Sequence, residues 1–100
     1  MIVVRDVFRL KFGKTREALA AWKEMGDHMA RSGMDPKSVR LLTDLVGPYY
    51  TLVMEMTVPS LADWEAQGRK AMSDAGWRKQ YEKMIPLVES GYREIFNVVQ

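Results

Sequence analysis

The period of the hydrophobic pattern changes along this chain in a set order, and that order limits the fold more than any other feature. Residues 2–11, IVVRDVFRLK, alternate as a strand does. One face carries Ile2, Val4, Asp6, Phe8 and Leu10; the other carries Val3, Arg5, Val7, Arg9 and Lys11. A helical stripe follows, Ala18, Trp22, Met25 and Met29, at spacings of four, three and four. Residues 38–46, SVRLLTDLV, and 49–58, YYTLVMEMTV, read as two strands joined by the turn signal Gly47-Pro48. Ser60-Leu61-Ala62-Asp63 fits a capping box with Asp in place of Glu, and opens a stripe of Leu61, Trp64, Gly68 and Met72. The phase breaks at 73–76, and a new stripe runs through Trp77, Tyr81, Met84 and Val88. Pro86 bends or ends that piece near Met84, because proline removes a helical hydrogen bond. Gly91 is expected to end the region, leaving residues 92–99, YREIFNVV, as the last strand.

The first helix has its own punctuation. Phe12-Gly13-Lys14 turns the chain, Thr15 offers a cap, Glu17 suits the first turn, and Ser32-Gly33 stops the helix. The order is therefore strand, helix, strand, strand, helices, strand. Right-handed crossovers turn that order into an α+β fold: a four-stranded antiparallel sheet with both helical layers on one face and the first strand in the middle. There is no linker, repeat or low-complexity stretch, so residues 1–100 read as a single domain.

Composition serves mainly to exclude. Hydrophobic residues are 47% and charged residues 28%, a globular balance. The net charge of +2 is spread along the chain; Arg5, Arg9, Lys11, Lys14 and Arg16 are the nearest thing to a cluster, and acidic residues elsewhere offset them. No nucleic-acid partner is expected. The absence of cysteine excludes disulfides and thiolate metal sites and suits a cytoplasmic protein. The opening apolar run is three residues long, too short for a signal h-region, and no run approaches the ~18 residues of a membrane span, so no membrane partner is expected.

Helices on one face leave the other face of the sheet bare. It would hold Val3, Val7, Leu42, Val46, Val53 and Thr57 among Arg5, Arg9, Arg40, Asp44 and Glu55. An ordinary half-wet face with cross-strand ion pairs would look like this. So would an isologous homodimer, sheet on sheet, and a patch this apolar favours the homodimer.

The stretch VVRDVFRLKFGKTREAL resembles the start of dimeric α+β barrel proteins, and SLADWEAQGRKAMSDAGWRKQYEKMIPLVESGYREIF resembles the second helical region and last strand of NIPSNAP-like members. The shared features are a turn Gly-Lys, a Ser-Leu-x-x-Trp helix start and a Trp opening the next helix. The superfamily includes antibiotic-biosynthesis monooxygenases, NIPSNAP proteins and stress-responsive barrel proteins. The resemblance implies two ferredoxin-like subunits joined through their sheets, each with a pocket between sheet and helices. Some members oxidise aromatic polyketides without a cofactor, some degrade haem, some rearrange lactones, and many have no known activity. A haem-degrading member would present a histidine from the second helical region, and this chain has none there.

Two residues stand out as candidate catalytic groups. Asp6 shares its strand face with apolar residues that meet the helices, where a carboxylate is costly unless paired or protonated. It is either a general base or the member of an ion pair. His28, the only histidine, lies on the flank of the first helix. Matching strand and helix rises brings it close to Asp6 along the sheet, so an Asp6–His28 pair is sterically conceivable; a solvent-facing helix-end histidine is the simpler reading. Trp22, Tyr50, Trp64, Trp77, Tyr81 and Phe96 are candidate substrate-binding residues lining an aromatic-friendly pocket, although such spacing also describes ordinary core. Eight methionines make that core adaptable.

No cofactor is expected: there is no Gly-rich phosphate loop, no second histidine and no metal-like acidic spacing. Strand three lacks the exposed aromatic motif of an RNA-binding domain on a similar fold. Two functions fit. One is a cofactor-independent monooxygenase or isomerase acting on a small, largely apolar carbonyl or aromatic compound, with Asp6 and His28 moving protons. The other is a non-enzymatic small-ligand-binding or stress-responsive dimer. A poorly paired Asp6 beside an open cavity favours the first, and a filled core with Asp6 in an ion pair favours the second.

Overall fold

Alternation of Val, Ile and Phe with polar residues produces the central strand. In the computed structural model, which describes residues 1–100, β1 (Ile2–Leu10) pairs antiparallel with two neighbours. The remaining elements are α1 (Thr15–Arg31), β2 (Val39–Thr43), β3 (Thr51–Val58), α2 (Leu61–Ser73), α3 (Ala75–Met84) and β4 (Val88–Asn97). The sheet order is β2-β3-β1-β4, the four-stranded antiparallel α+β arrangement that the pattern of periods predicts.

The faces of β1 are as the sequence implies. Ile2, Val4, Asp6 and Leu10 are buried towards the helices, Phe8 is half-buried there, and the alternate residues are half-buried on the opposite side. Leu52, Met54 and Val58 continue the inner face on β3. Ala18, Ala21, Met25 and Met29 of α1 close over it. Leu10, Met25, Leu52 and Met84 join Ala18 and Ala21 in one core cluster, while Ile2, Val4 and Val58 form a second beneath Trp64.

Helix ends follow local chemistry. At the end of α1 the Met34 N–H donates to the Met29 carbonyl and the Gly33 N–H to the Ala30 carbonyl, with Gly33 at φ 106°. This is a Schellman stop, which needs a residue tolerant of left-handed backbone. Ser60 caps α2: its Oγ accepts from the Asp63 N–H at 3.2 Å and donates to Asp63 Oδ2 at 2.7 Å. The phase break at 73–76 is a true helix boundary, at which Asp74 ends α2 and caps α3. Pro86 lies in a short 3₁₀ turn after Met84, as a residue without an N–H should.

Several expected boundaries shift. Thr15 begins α1 rather than capping it; Lys14 holds the cap position without a side-chain bond. Strand β2 stops at Thr43, so Asp44 and Val46 leave the sheet for the connecting loop. There the Asp44 carboxylate accepts from the Thr51 N–H at 2.9 Å, and Val46 is 94% exposed. Gly91 does not end a helix but sits inside β4 opposite Phe8. The inner stripe of α2 is Trp64, Gln67 and Ala71; Leu61 and Met72 are exposed. Tyr81 is likewise exposed, although it stacks on Trp77 with centroids 5.2 Å apart.

On the face away from the helices, Leu42, Val53, Val7 and Tyr92 follow one another across the four strands, and Val3 lies opposite Phe96. Glu55 is bracketed there by Arg40 at 2.5 Å and Arg5 at 3.7 Å. These are cross-strand pairs within one chain. No helix of the protein is long and apolar enough to cross a membrane.

Candidate functional site

The inner sheet face and the helices do not close on one another. Between them lies a cleft of about 1790 Å³, bordered by all four strands and all three helices. That is above the ~300–1,000 Å³ of ordinary small-molecule sites, as suits a groove open to solvent rather than an enclosed cavity. Its wall is mainly apolar, with Met25, Met29, Met54 and Met56 among the aromatic side chains.

Asp6 is fixed in this wall by the register of the sheet. Its residue partner across β4 is Arg93, and the Arg93 Nε donates to Asp6 Oδ1 at 2.6 Å. The Asp6 side chain is 7% exposed and that of Arg93 is 51% exposed, so the pair runs from the sheet floor towards the open cleft. The guanidinium carbon lies 4.8 Å from the centroid of Trp64, a cation–π contact. Asp6 is therefore both ion-paired and beside an open cavity, a combination that neither functional reading anticipates in full.

The aromatic candidates divide. Trp22, Trp64, Trp77 and Tyr81 line the cleft. Trp22 packs on Phe8 with centroids 5.7 Å apart, and its indole N–H is buried without a hydrogen-bond partner, as is the Gln67 side-chain carbonyl. Tyr50 and Phe96 do not line the cleft. Tyr50 adopts φ 58° just before β3 and packs under Phe12 at 4.5 Å, while Phe96 points to the outer face opposite Val3.

His28 is not beside Asp6. It faces α3, with Nδ1 3.5 Å from Asp74 Oδ1 and 3.0 Å from a terminal nitrogen of Arg31. Rise arithmetic places a residue along the helix axis but leaves its direction around the axis open, and α1 turns this side chain away from the sheet. Asp74 Oδ1 accepts from the Trp77 N–H at 2.9 Å. That bond holds the Asp74 carboxyl below its ordinary pKa; the neighbouring His28, the Gly76 N–H and Arg31 act in the same direction against partial desolvation. No group of three or more His, Cys, Asp or Glu side chains is arranged to hold a metal ion.

Arg93 and Gln67 are the site residues that sequence reasoning missed. A signal existed: the inner phase of β4 is Gly91, Arg93, Ile95 and Asn97, with one charge, and the inner phase of β1 also has one, of opposite sign.

No protein-family model matches the chain, and no curated protein matches it. Solved structures do. A protein of Agrobacterium tumefaciens superposes with a TM-score of 0.85 at 21% identity, covering 100% of this chain and 95% of that one. A NIPSNAP family protein of the same organism gives 0.81 at 22% identity, covering 96% and 90%. An antibiotic biosynthesis monooxygenase gives 0.74 at 13% identity, covering 100% of both chains. The chain thus has the ferredoxin-like α+β fold of the NIPSNAP and antibiotic biosynthesis monooxygenase proteins, as the resemblance in its sequence implies.

Proposed function

We propose that this chain forms a homodimer through its outer sheet face, and that each copy takes a small, largely apolar carbonyl or aromatic compound into the cleft between sheet and helices. The observation that carries the ligand reading is the Asp6–Arg93 pair: a guanidinium anchored at 2.6 Å and lying over Trp64, set in an apolar wall. Such a site offers one directed donor group amid apolar and aromatic surface, the usual composition of a small-molecule pocket.

Area supports the dimer. The chain exposes 6748 Å², against about 5,800 Å² for a monomeric protein of 11.5 kDa. Part of the excess of roughly 900 Å² is the wall of the open cleft, and the rest is of the order that a partner's cover over the outer sheet face would remove. The outer face supplies suitable surface in Val3, Val7, Tyr92 and Phe96.

All three tryptophans of the chain border the cleft, so intrinsic fluorescence reports on its occupancy. Titration with a panel of planar aromatic ketones, phenols and acids should quench or shift that emission saturably. A panel with no saturable response would overturn the ligand reading.

A second reading, turnover by a cofactor-independent isomerase or monooxygenase, is favoured by one feature. Asp6 Oδ1 is taken by Arg93, while its other oxygen makes no hydrogen bond within the protein. That oxygen would abstract the proton next to a ligand carbonyl, and Arg93 would hold the resulting enolate oxygen. His28 takes no part. Solvent deuterium exchange into a bound ketone, lost in Asp6→Asn, separates turnover from binding alone.

A further inference from the structure

We propose that the cleft selects an anion: the outer edge of Arg93 receives the carboxylate of an otherwise apolar, planar ligand. The proposal rests on the reading of the cleft as a ligand site and names the class of ligand it takes. Arg93 is fixed on two sides. Its Nε donates to Asp6 Oδ1, and its guanidinium carbon lies over the Trp64 ring, 4.8 Å from the centroid. Asp6 is in turn rooted in the central strand, directly opposite Arg93 in the sheet register.

The hydrogen bond uses the Nε atom alone. The two terminal nitrogens make no hydrogen bond within the protein, and the side chain remains 51% exposed. They present a parallel fork of N–H donors, which matches the two oxygens of a carboxylate; a single carbonyl oxygen would engage it less completely. Because Asp6 and Trp64 already order the side chain, binding loses little of its rotamer freedom.

The charges around the cleft do not oppose this. Lys23 and Arg69 border it along with Asp27 and Glu65, so the wall has no net negative charge once Asp6 and Arg93 are counted against each other. The ligand frame is apolar because the cleft is lined mainly by methionine and aromatic side chains, and flat because the Trp64 indole stands beside the fork.

The test uses a matched pair of probes, naphthalene carboxylate and its methyl ester, followed by tryptophan emission of the full chain. The acid should bind about tenfold or more tightly than the ester, the effect of adding a charge-assisted hydrogen-bonded pair. Arg93→Gln should bring the two affinities together. Arg93→Lys keeps a cation beside Asp6 but removes the fork, and should lower the ratio severalfold; it serves as the test if Arg93→Gln does not fold. Equal affinities in the unaltered protein, or an undiminished ratio in a folded Arg93 variant, would overturn the proposal while leaving the cleft a ligand site. Binding of neither probe nor any of the wider panel would remove the cleft reading itself.

Discussion

The imidazole of His28 occupies the space that a side chain at Gly76 would need: a Cβ added there would lie 2.2 Å from Cε1 and 2.6 Å from Nε2 of the ring. The ring of His28, rather than the backbone of α1, fills the space beside Gly76 at the start of α3. His28, Asp74 and Gly76 form a helix joint remote from the Asp6–Arg93 pair.

Gly76→Ala should expel the ring and destabilise the fold by about 1–3 kcal/mol, the usual range for overpacking, despite the better helix propensity of alanine. His28→Ala together with Gly76→Ala should recover most of the loss. Chemical denaturation of the two single variants and the double variant measures this coupling. Additive losses would mean that the ring moves aside freely.

Asp6→Asn should lower stability by about 1–3 kcal/mol, between the values for exposed and fully buried ion pairs, because Arg93 is half in solvent. The loss arises from leaving the guanidinium without its counter-charge. A thermal melt equal to or above that of the unaltered protein would indicate an Asp6 held at a cost to stability, as a catalytic group often is.

Asp74 ties pH to stability. Its folded pKa lies below the ordinary 3.8, so the unfolded state takes up protons first as pH falls. The stabilisation is complete well above 3.8 and is lost as pH drops through the lowered folded value. Asp74→Asn retains a capping oxygen but not the charge, and should melt below the unaltered protein near neutral pH. The gap should close in acid below 3.8, and a gap constant across that range would exclude Asp74 as its source.

Sedimentation at micromolar concentration should give twice 11.5 kDa. Val7→Glu or Tyr92→Glu, each on the outer sheet face, should yield monomer without changing the circular dichroism. A monomer mass for the unaltered chain would leave the outer face uncovered and the dimer reading untenable.

Truncation should separate core from cleft. Met25→Ala, at 1% exposure, should lose about 2–5 kcal/mol. Trp64→Ala should lose less than the about 3–5 kcal/mol of a fully buried tryptophan, since one side of the ring already faces the cleft and Arg93. Equal, large losses in urea melts would place Trp64 in closed core.

The alternation of IVVRDVFRL, the stripe through Ala18, Met25 and Met29 and the break at Asp74 marked β1, α1 and the boundary between α2 and α3. The order of periods along the chain set the type and order of the elements, while the ends of β2 and β4 did not follow from it. Each depends on neighbours in the chain: side-chain direction repeats every two residues in a strand and every 3.6 in a helix. The same logic put Asp6 on the inner face before any partner was visible. It did not reveal that partner. Asp6 and Arg93 are 87 residues apart in the chain, and they meet because β4 pairs with β1 in one register; a slip by one residue would turn Arg93 to the other face. Rotation decided His28 in the same way: its place around the axis of α1 sets it against Asp74 and Gly76 at the start of α3 rather than beside Asp6. Local periodicity gave Asp6 its face and His28 its helix, whereas register and helix rotation, which arise from packing over the whole chain, gave them their partners.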